Sequence, residues 1–206
     1  MAKGTSKFLL IAGLALLLVV AGNSGALGSP AASGGPSPGS ASGSKDPNDL
    51  HPNLVPLFQQ TFAGANASLP NGVTIVIDST FRTFDEQAAD YAQGRTAPGS
   101  IITDASPGHS YHNYGLAFDW HLNVNGTDYW PSGYSASLNN TNWMTVVSVF
   151  KSAGFAWGGD WNSFKDIDHL QMSYGYSTSD LLNLYNNGDF VTSQYNGNNY
   201  VNLADA

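Results

Sequence analysis

Two short stretches of this 206-residue chain hold the residues whose types and spacing can do chemistry. The first runs from Ser110 through His112 and Gly115 to Asp119; the second is Asp166, Ile167, Asp168, His169. Together they offer two imidazoles, His112 and His169, and one carboxylate, Asp119. A further carboxylate, Asp166, stands three residues before the last histidine. Three protein ligands with a position left for water is the layout of a catalytic zinc site, whereas structural zinc takes four ligands, mostly thiolates. The chain has no cysteine, so a closed thiolate site is excluded. Two imidazoles also argue for Zn²⁺ over Ca²⁺ or Mg²⁺, which take all-oxygen shells.

Zinc hydrolases that cut peptides need a carboxylate to move the proton of the attacking water. The only glutamate is Glu86, which sits where a helix cap is expected, so the base is expected to be an aspartate. Asp166 is favoured over Asp168, because a residue next to a ligand on an extended strand points to the opposite face. The competing reading makes Asp166 a turn residue. Arg82 lies between a strand end and a helix start, where its planar fork can clamp a substrate carboxylate. The alternative for Arg82 is an ion pair with Asp85 or Glu86. The run Trp157, Gly158, Gly159, Asp160, Trp161 either walls the cleft, with glycines admitting close backbone approach, or simply packs. His121 is read as a packed histidine, His109 as a rim residue and His51 as a surface one.

The elements that must position these groups follow from periodicity. Leu54, Leu57, Phe58 and Phe62 recur at helical spacing behind Pro52 and Pro56. The β-branched run Val73–Ile77 reads as a strand after Asn71 and Gly72. Thr83 with Glu86, and Ser177 with Asp180, match capping boxes that open helices, closed near Gly94 and near Asn187 and Gly188. Trp143, Val146, Val147 and Phe150 form a helical stripe ending before Gly154. Residues 115–124 and 169–173 are candidate strands, with Gly115 allowing a bend that folds Asp119 back beside His112. Helices and strands mix without βαβ alternation, which predicts an α+β domain with a small, mainly antiparallel sheet.

Composition bounds the rest. Lys3 and Lys7, the apolar run Phe8–Ala21 and the small residues that follow have the order of an export signal, so residues 1–26 are read as a signal peptide or N-terminal anchor. Fourteen apolar residues are short for a membrane span, which needs roughly 20. Residues 27–45, rich in Gly, Ser, Pro and Ala, are read as a linker. Residues 46–190 are then the catalytic domain and 191–206 an Asn-rich loose tail. After residue 45, four Lys and Arg face fifteen Asp and Glu, a net charge of −11 with histidine neutral. Such a surface lacks the cationic footprint of a nucleic-acid binder. A monomer is expected, with membrane contact only through the N-terminal segment if it stays uncleaved. The expected location is outside the cytoplasm: extracellular, in the cell wall or in the periplasm.

The string Ser-x-His-x-x-Gly-x-Ala-x-Asp at 110–119, then Trp-Gly-Gly-Asp-Trp at 157–161 and Asp-x-x-His at 166–169, resembles the zinc-dependent peptidoglycan peptidases. These comprise D-alanyl-D-alanine carboxypeptidases and L-alanyl-D-glutamate endopeptidases, and the likeness spans about residues 54–184. The endopeptidase branch looks closest in style around Tyr111–Gly115, Phe155–Trp161 and His169–Met172. The resemblance implies a hedgehog/DD-peptidase-like fold and Zn²⁺ on His112, Asp119 and His169, with Asp166 as base. It implies that Arg82 helps position substrate and that Ser110 touches substrate or the metal's water; Trp157 and Asp160 are carried over as cleft residues. The implied substrate is the stem peptide of bacterial peptidoglycan, most readily its L-Ala-D-Glu bond, with D,D-carboxypeptidase activity as the alternative. A non-catalytic zinc-containing binding module is the third reading, disfavoured by the presence of Asp166. Asp168 departs from the pattern, since relatives often carry proline there.

Overall fold

A computed structural model describes residues 43–203. The expected signal or anchor and residues 27–42 of the expected linker lie outside the described residues. Among those described, no helix is long and apolar enough to cross a membrane.

The strand that organises the site is β2, Ala117–Val124. It pairs antiparallel with β1, Val73–Ser79, along most of its length. Its other edge is shared. Ala117–Asp119 face β5, His169–Gln171, while Leu122–Val124 face the short β3, Thr127–Tyr129. A two-residue β4, Ala156–Trp157, extends the sheet beyond β5, giving the order β1-β2-β5-β4 with β3 beside β2. All of these pairings are antiparallel, as the α+β reading expects.

Successive side chains of a strand point to opposite faces, and β2 shows what that does for function. Phe118, Trp120 and Leu122 are fully buried in the core. That core is closed by α1, Val55–Ala67, and α4, Thr141–Ser152. Phe118 meets Phe58 of α1 at 4.9 Å between centroids and Phe150 of α4 at 5.0 Å, and Trp120 stacks on Trp143 at 4.0 Å. The alternate residues, Asp119 and His121, face a cavity on the other side. One strand thus anchors the fold with one set of side chains and supplies the site with the other.

The helices follow their sequence signals. The α4 stripe Trp143, Val146, Val147 and Phe150 is buried, and Asn140 caps its start. Both capping boxes form: Thr83 with Glu86 at α2, Phe84–Ala92, and Ser177 with Asp180 at α5, Thr178–Asn187. The short α3, Tyr134–Leu138, carried no periodic signal.

Two boundaries differ from expectation. The Asn-rich segment is no loose tail: β6, Phe190–Thr192, and β7, Asn199–Val201, pair as a hairpin, with Tyr200, Val201 and Leu203 buried. His51, expected at the surface, is fully buried; its Nε2 donates to the Val201 carbonyl at 2.8 Å and its Nδ1 accepts from Asn53 N. Polar spacing concealed the hairpin because its apolar residues are few and its partner, the segment at 48–51, is distant in sequence. At the other end, the domain begins before residue 46. Ser44 N donates to Phe81 O and Thr80 N donates to Ser44 O, laying the last expected linker residues along the end of β1.

Candidate active site

His112 sits on a 3-10 turn, Tyr111–Tyr114, whose first turn is capped by Ser110 Oγ accepting from His112 N at 3.3 Å. Gly115 ends that turn at φ +66°, and a Cβ there would lie 2.7 Å from His51 N. Only glycine fits both the left-handed backbone and the gap, and it turns the chain straight into β2. Asp119 is then paired in register with Ser79 of β1 on one side and His169 of β5 on the other. Loop, central strand and neighbouring strand converge on one point.

The three groups meet closely. His112 Nε2 lies 3.2 Å from Asp119 Oδ1 and 3.2 Å from His169 Nδ1, and His169 Nδ1 lies 3.1 Å from Asp119 Oδ1. The outer nitrogens fix the tautomers, because a carbonyl only accepts. His112 Nδ1 donates to Thr80 O at 2.6 Å, and His169 Nε2 donates to Gln171 Oε1 at 3.0 Å. Each ring therefore turns a lone pair inward, against the carboxylate oxygen. Three inward-facing acceptors repel one another until positive charge, a proton or a metal ion, lies between them. Donors set about 2 Å from one tetrahedral ion stand roughly 3.3 Å apart, so the spacing and chemistry of His112, Asp119 and His169 fit a bound metal.

The electrostatics agree. Burial alone would raise the Asp119 carboxyl, but His112 and His169, through charge and hydrogen bonds, hold it well below the usual carboxylate range. Burial lowers His169, yet its bond and charge contact with Asp119 outweigh that and raise it overall. The cluster draws positive charge inward.

Asp166 and Asp168 both line the cavity, which has a volume of about 1180 Å³. The opposite-face argument for choosing between them fails, because β5 begins only at His169 and residues 167–168 form a turn. Burial pushes the Asp168 carboxyl up to about 9, helped by its hydrogen bond to Asp166 and by the nearby charges of Asp119 and Asp166. The two acids thus form a hydrogen-bonded pair beside His169.

Arg82 lines the cavity and is also tied inward. It is 4% exposed, with Nε 3.3 Å from Asp90 Oδ2 and one terminal nitrogen 3.6 Å from Asp119 Oδ2. The other terminal nitrogen donates to Gln87 Oε1 at 3.1 Å. Its guanidinium is therefore engaged inside the protein, and neither Asp85 nor Glu86 is among those partners. It braces Asp119 at Oδ2. Gln87 and Asp90, three residues apart on the inner face of α2, were missed. Their polar i, i+3 spacing on a helix was the available signal.

Trp157 and Asp160 are not at the cavity. Trp157 is 2% exposed, and its Nε1 donates to Ile167 O at 2.7 Å, pinning the turn that carries Asp166 and Asp168. Asp160 is exposed and pairs with Lys151. The glycines are used as the close-approach reading expects: a Cβ on Gly158 would lie 2.3 Å from Asp166 O, and one on Gly159 would strike the Trp157 ring. The residue that does wall the cleft is Trp161, whose ring lies 5.2 Å from that of His169. Ser110 and His109 line the cavity; His109 is exposed. Gln171, two residues beyond His169 on the same strand face, was also missed, although strand alternation could have found it. Thr80 acts through its carbonyl and leaves no trace in side-chain sequence.

Known proteins share the span that carries this cluster. Residues 103–172 match the family model described as D-alanyl-D-alanine carboxypeptidase, a span that holds all three cluster residues and both acids. The chain is 44% identical over 129 residues to the peptidoglycan L-alanyl-D-glutamate endopeptidase CwlK of Bacillus subtilis strain 168, covering 61% of this chain and 75% of that protein. It is 34% identical over 131 residues to the L-alanyl-D-glutamate peptidase of Listeria phage A118, covering 61% of this chain and 42% of that protein. The crystal structure of the Serratia marcescens L-Ala D-Glu endopeptidase ChiX overlays with a TM-score of 0.42 at 18% identity, over 62% of this chain and 84% of that one. The chain belongs to this family of peptidoglycan peptidases, on its endopeptidase branch.

Proposed function

We propose that this protein is a zinc-dependent endopeptidase that cuts the L-Ala-D-Glu bond of the peptidoglycan stem peptide outside the cytoplasm. The observation that carries the reading is the inward-facing triangle of His112 Nε2, His169 Nδ1 and Asp119 Oδ1. His112, Asp119 and His169 would hold the ion. When bound, zinc supplies Lewis-acid polarisation of the scissile carbonyl and acidifies water. Thr80 O and Gln171 Oε1 keep the imidazoles turned to ligate, and Arg82 keeps Asp119 in place. Asp166, in the turn held by Trp157, is the base that takes a proton from the attacking water and passes it to the leaving amine. Asp168, bonded to Asp166, holds that carboxylate in position. Trp161 shields the His169 side of the reacting centre from bulk solvent.

The choice of bond rests on the names of the two relatives, one of them 44% identical. The family model's description is what keeps D,D-carboxypeptidase activity as the second reading. Export rests on the basic, apolar and small residues at positions 3–26. The metal assignment is tested by elemental analysis of the purified chain. About one zinc per chain is expected from a three-ligand site. The double variant His112→Ala plus His169→Ala should hold none. A wild type without zinc, or a double variant that keeps it, refutes the assignment.

A further inference from the structure

The cavity continues well past the metal cluster. Its far end is built on β2 and its neighbours from Asp78, His121, Asp128 and Trp130, with Lys45 at the edge. None of these is needed to hold a metal or move a proton. Trp130 is 49% exposed and lies against the His121 ring, 4.0 Å between centroids and tilted by 30°. His121 is itself buried and fixed, since its Nδ1 bonds Asp78 Oδ2 at 2.7 Å. Its Nε2 stands 3.2 Å from Asp128 Oδ1 without meeting hydrogen-bond geometry. A half-exposed indole lying on an imidazole that stands between two carboxylates is a flat, amphipathic platform.

We infer that this end of the cavity is a subsite for a neutral amino-sugar ring, the glycan unit that carries the stem peptide. Three observations support a sugar over a charged group. An indole face accepts the C–H face of a pyranose, and carboxylate oxygens accept sugar hydroxyls in charge-assisted hydrogen bonds. The carboxylates also have partners already. Asp78 has His121 and, at 4.0 Å, Lys45, while Asp128 has Asn123 at 2.7 Å. What they retain are spare lone pairs for hydroxyls, which suits a neutral polyol better than an ammonium group.

The spacing fits as well. Asp119 and His121 are alternate residues on one face of β2, about 7 Å apart by strand rise. The stem's L-Ala is joined through its nitrogen to a lactyl group on the sugar, and those two units, each of residue length, also span about 7 Å when extended. A scissile carbonyl held beside Asp119 would therefore bring the sugar ring to His121, against which Trp130 lies.

This inference rests on the endopeptidase reading, and its test separates the two. The metal-loaded full chain is given three substrates: the stem peptide on its disaccharide, the same peptide without sugar, and the sugar-free peptide with its third-residue amine acetylated. Wild type should favour the disaccharide-linked substrate by about tenfold or more in kcat/KM, the weight of one charge-assisted hydrogen bond. Trp130→Ala, and independently Asp128→Asn, should bring the first two substrates within about twofold of each other. Separately, titrating the disaccharide alone should shift the Trp130 indole N–H resonance, a signal assigned by its loss in Trp130→Ala. The subsite is overturned if wild type shows no preference for the sugar, or if the variants leave that preference intact. It is overturned equally if their effect follows the amine. If no substrate is cut, the endopeptidase reading fails, and the disaccharide titration still decides the subsite.

Discussion

Arg82 reaches Asp119 from the side opposite the histidines: its terminal nitrogen lies 3.6 Å from Oδ2, while Oδ1 faces both imidazoles. The carboxylate is thereby shared between a permanent cation and the two imidazoles. Removing the guanidinium would leave Asp90 and Asp119 buried without that charge. Arg82→Met should destabilise the protein by about 3–5 kcal/mol, the usual cost of breaking a buried pair from one side. Arg82→Lys keeps the charge but loses the fork, so it should fall between and weaken zinc binding. Chemical denaturation and zinc titration measure both. An Arg82→Lys protein with unchanged stability and zinc affinity but poor peptide cleavage would instead return Arg82 to the role of substrate clamp.

Gly158 and Asp166 test how the base is held. A methyl group at Gly158 has no room against Asp166 O, so Gly158→Ala must push the turn outward. Turnover should fall more than zinc content, because His112 and Asp119 lie on other backbone and His169 is held in β5 by its pairing with Asp119 of β2. Trp157→Phe removes the bond to Ile167 O and should act in the same direction, costing about 1 kcal/mol of stability. Single-turnover rates beside zinc content provide the readout. Equal loss of zinc and rate would mean that the turn supports the metal cluster as well.

The division of labour between the paired acids is open to direct substitution. Asp166→Asn should retain fold and zinc yet lose activity by roughly 10²–10⁴-fold, the weight of general acid–base catalysis. Asp168→Asn, which keeps a hydrogen-bonding partner for Asp166, should cost far less. The reverse ranking would make Asp168 the base.

His51 should tie stability to acid. Burial holds its pKa below the ordinary 6.5 more strongly than the bond to Val201 O raises it. A depressed folded-state pKa means that the unfolded chain binds the proton first. Its contribution is complete above pH 6.5 and is lost as pH falls through the lowered folded value. The melting temperature of wild type should therefore drop more steeply from pH 7 to pH 5 than that of His51→Gln. Parallel curves would show that His51 does not titrate across unfolding.

What could be read from sequence follows from how local each signal is. His112, Asp119 and His169 were legible because ligand types are few and the strand periodicity of β2 is clean. The helices were legible because Trp143–Phe150 keeps its stripe and both capping boxes lie within four residues. Arg82 lines the cavity, but its internal partners Gln87 and Asp90 were not legible, since they come from a helix whose packing only the tertiary structure reveals. Trp157 was misplaced for the same reason, since a tryptophan beside glycines looks alike whether it faces a cleft or locks a turn. The β6–β7 hairpin escaped notice because its three buried residues sit among Asn and Gly, and their contacts lie about 150 positions away.

The most direct measurement is the identification of new termini after the full chain digests purified peptidoglycan. This account predicts newly exposed L-Ala carboxyl and D-Glu amino ends, abolished by chelator and restored by added zinc. Release of terminal D-Ala in their place, or cleavage that is indifferent to chelator, would contradict it.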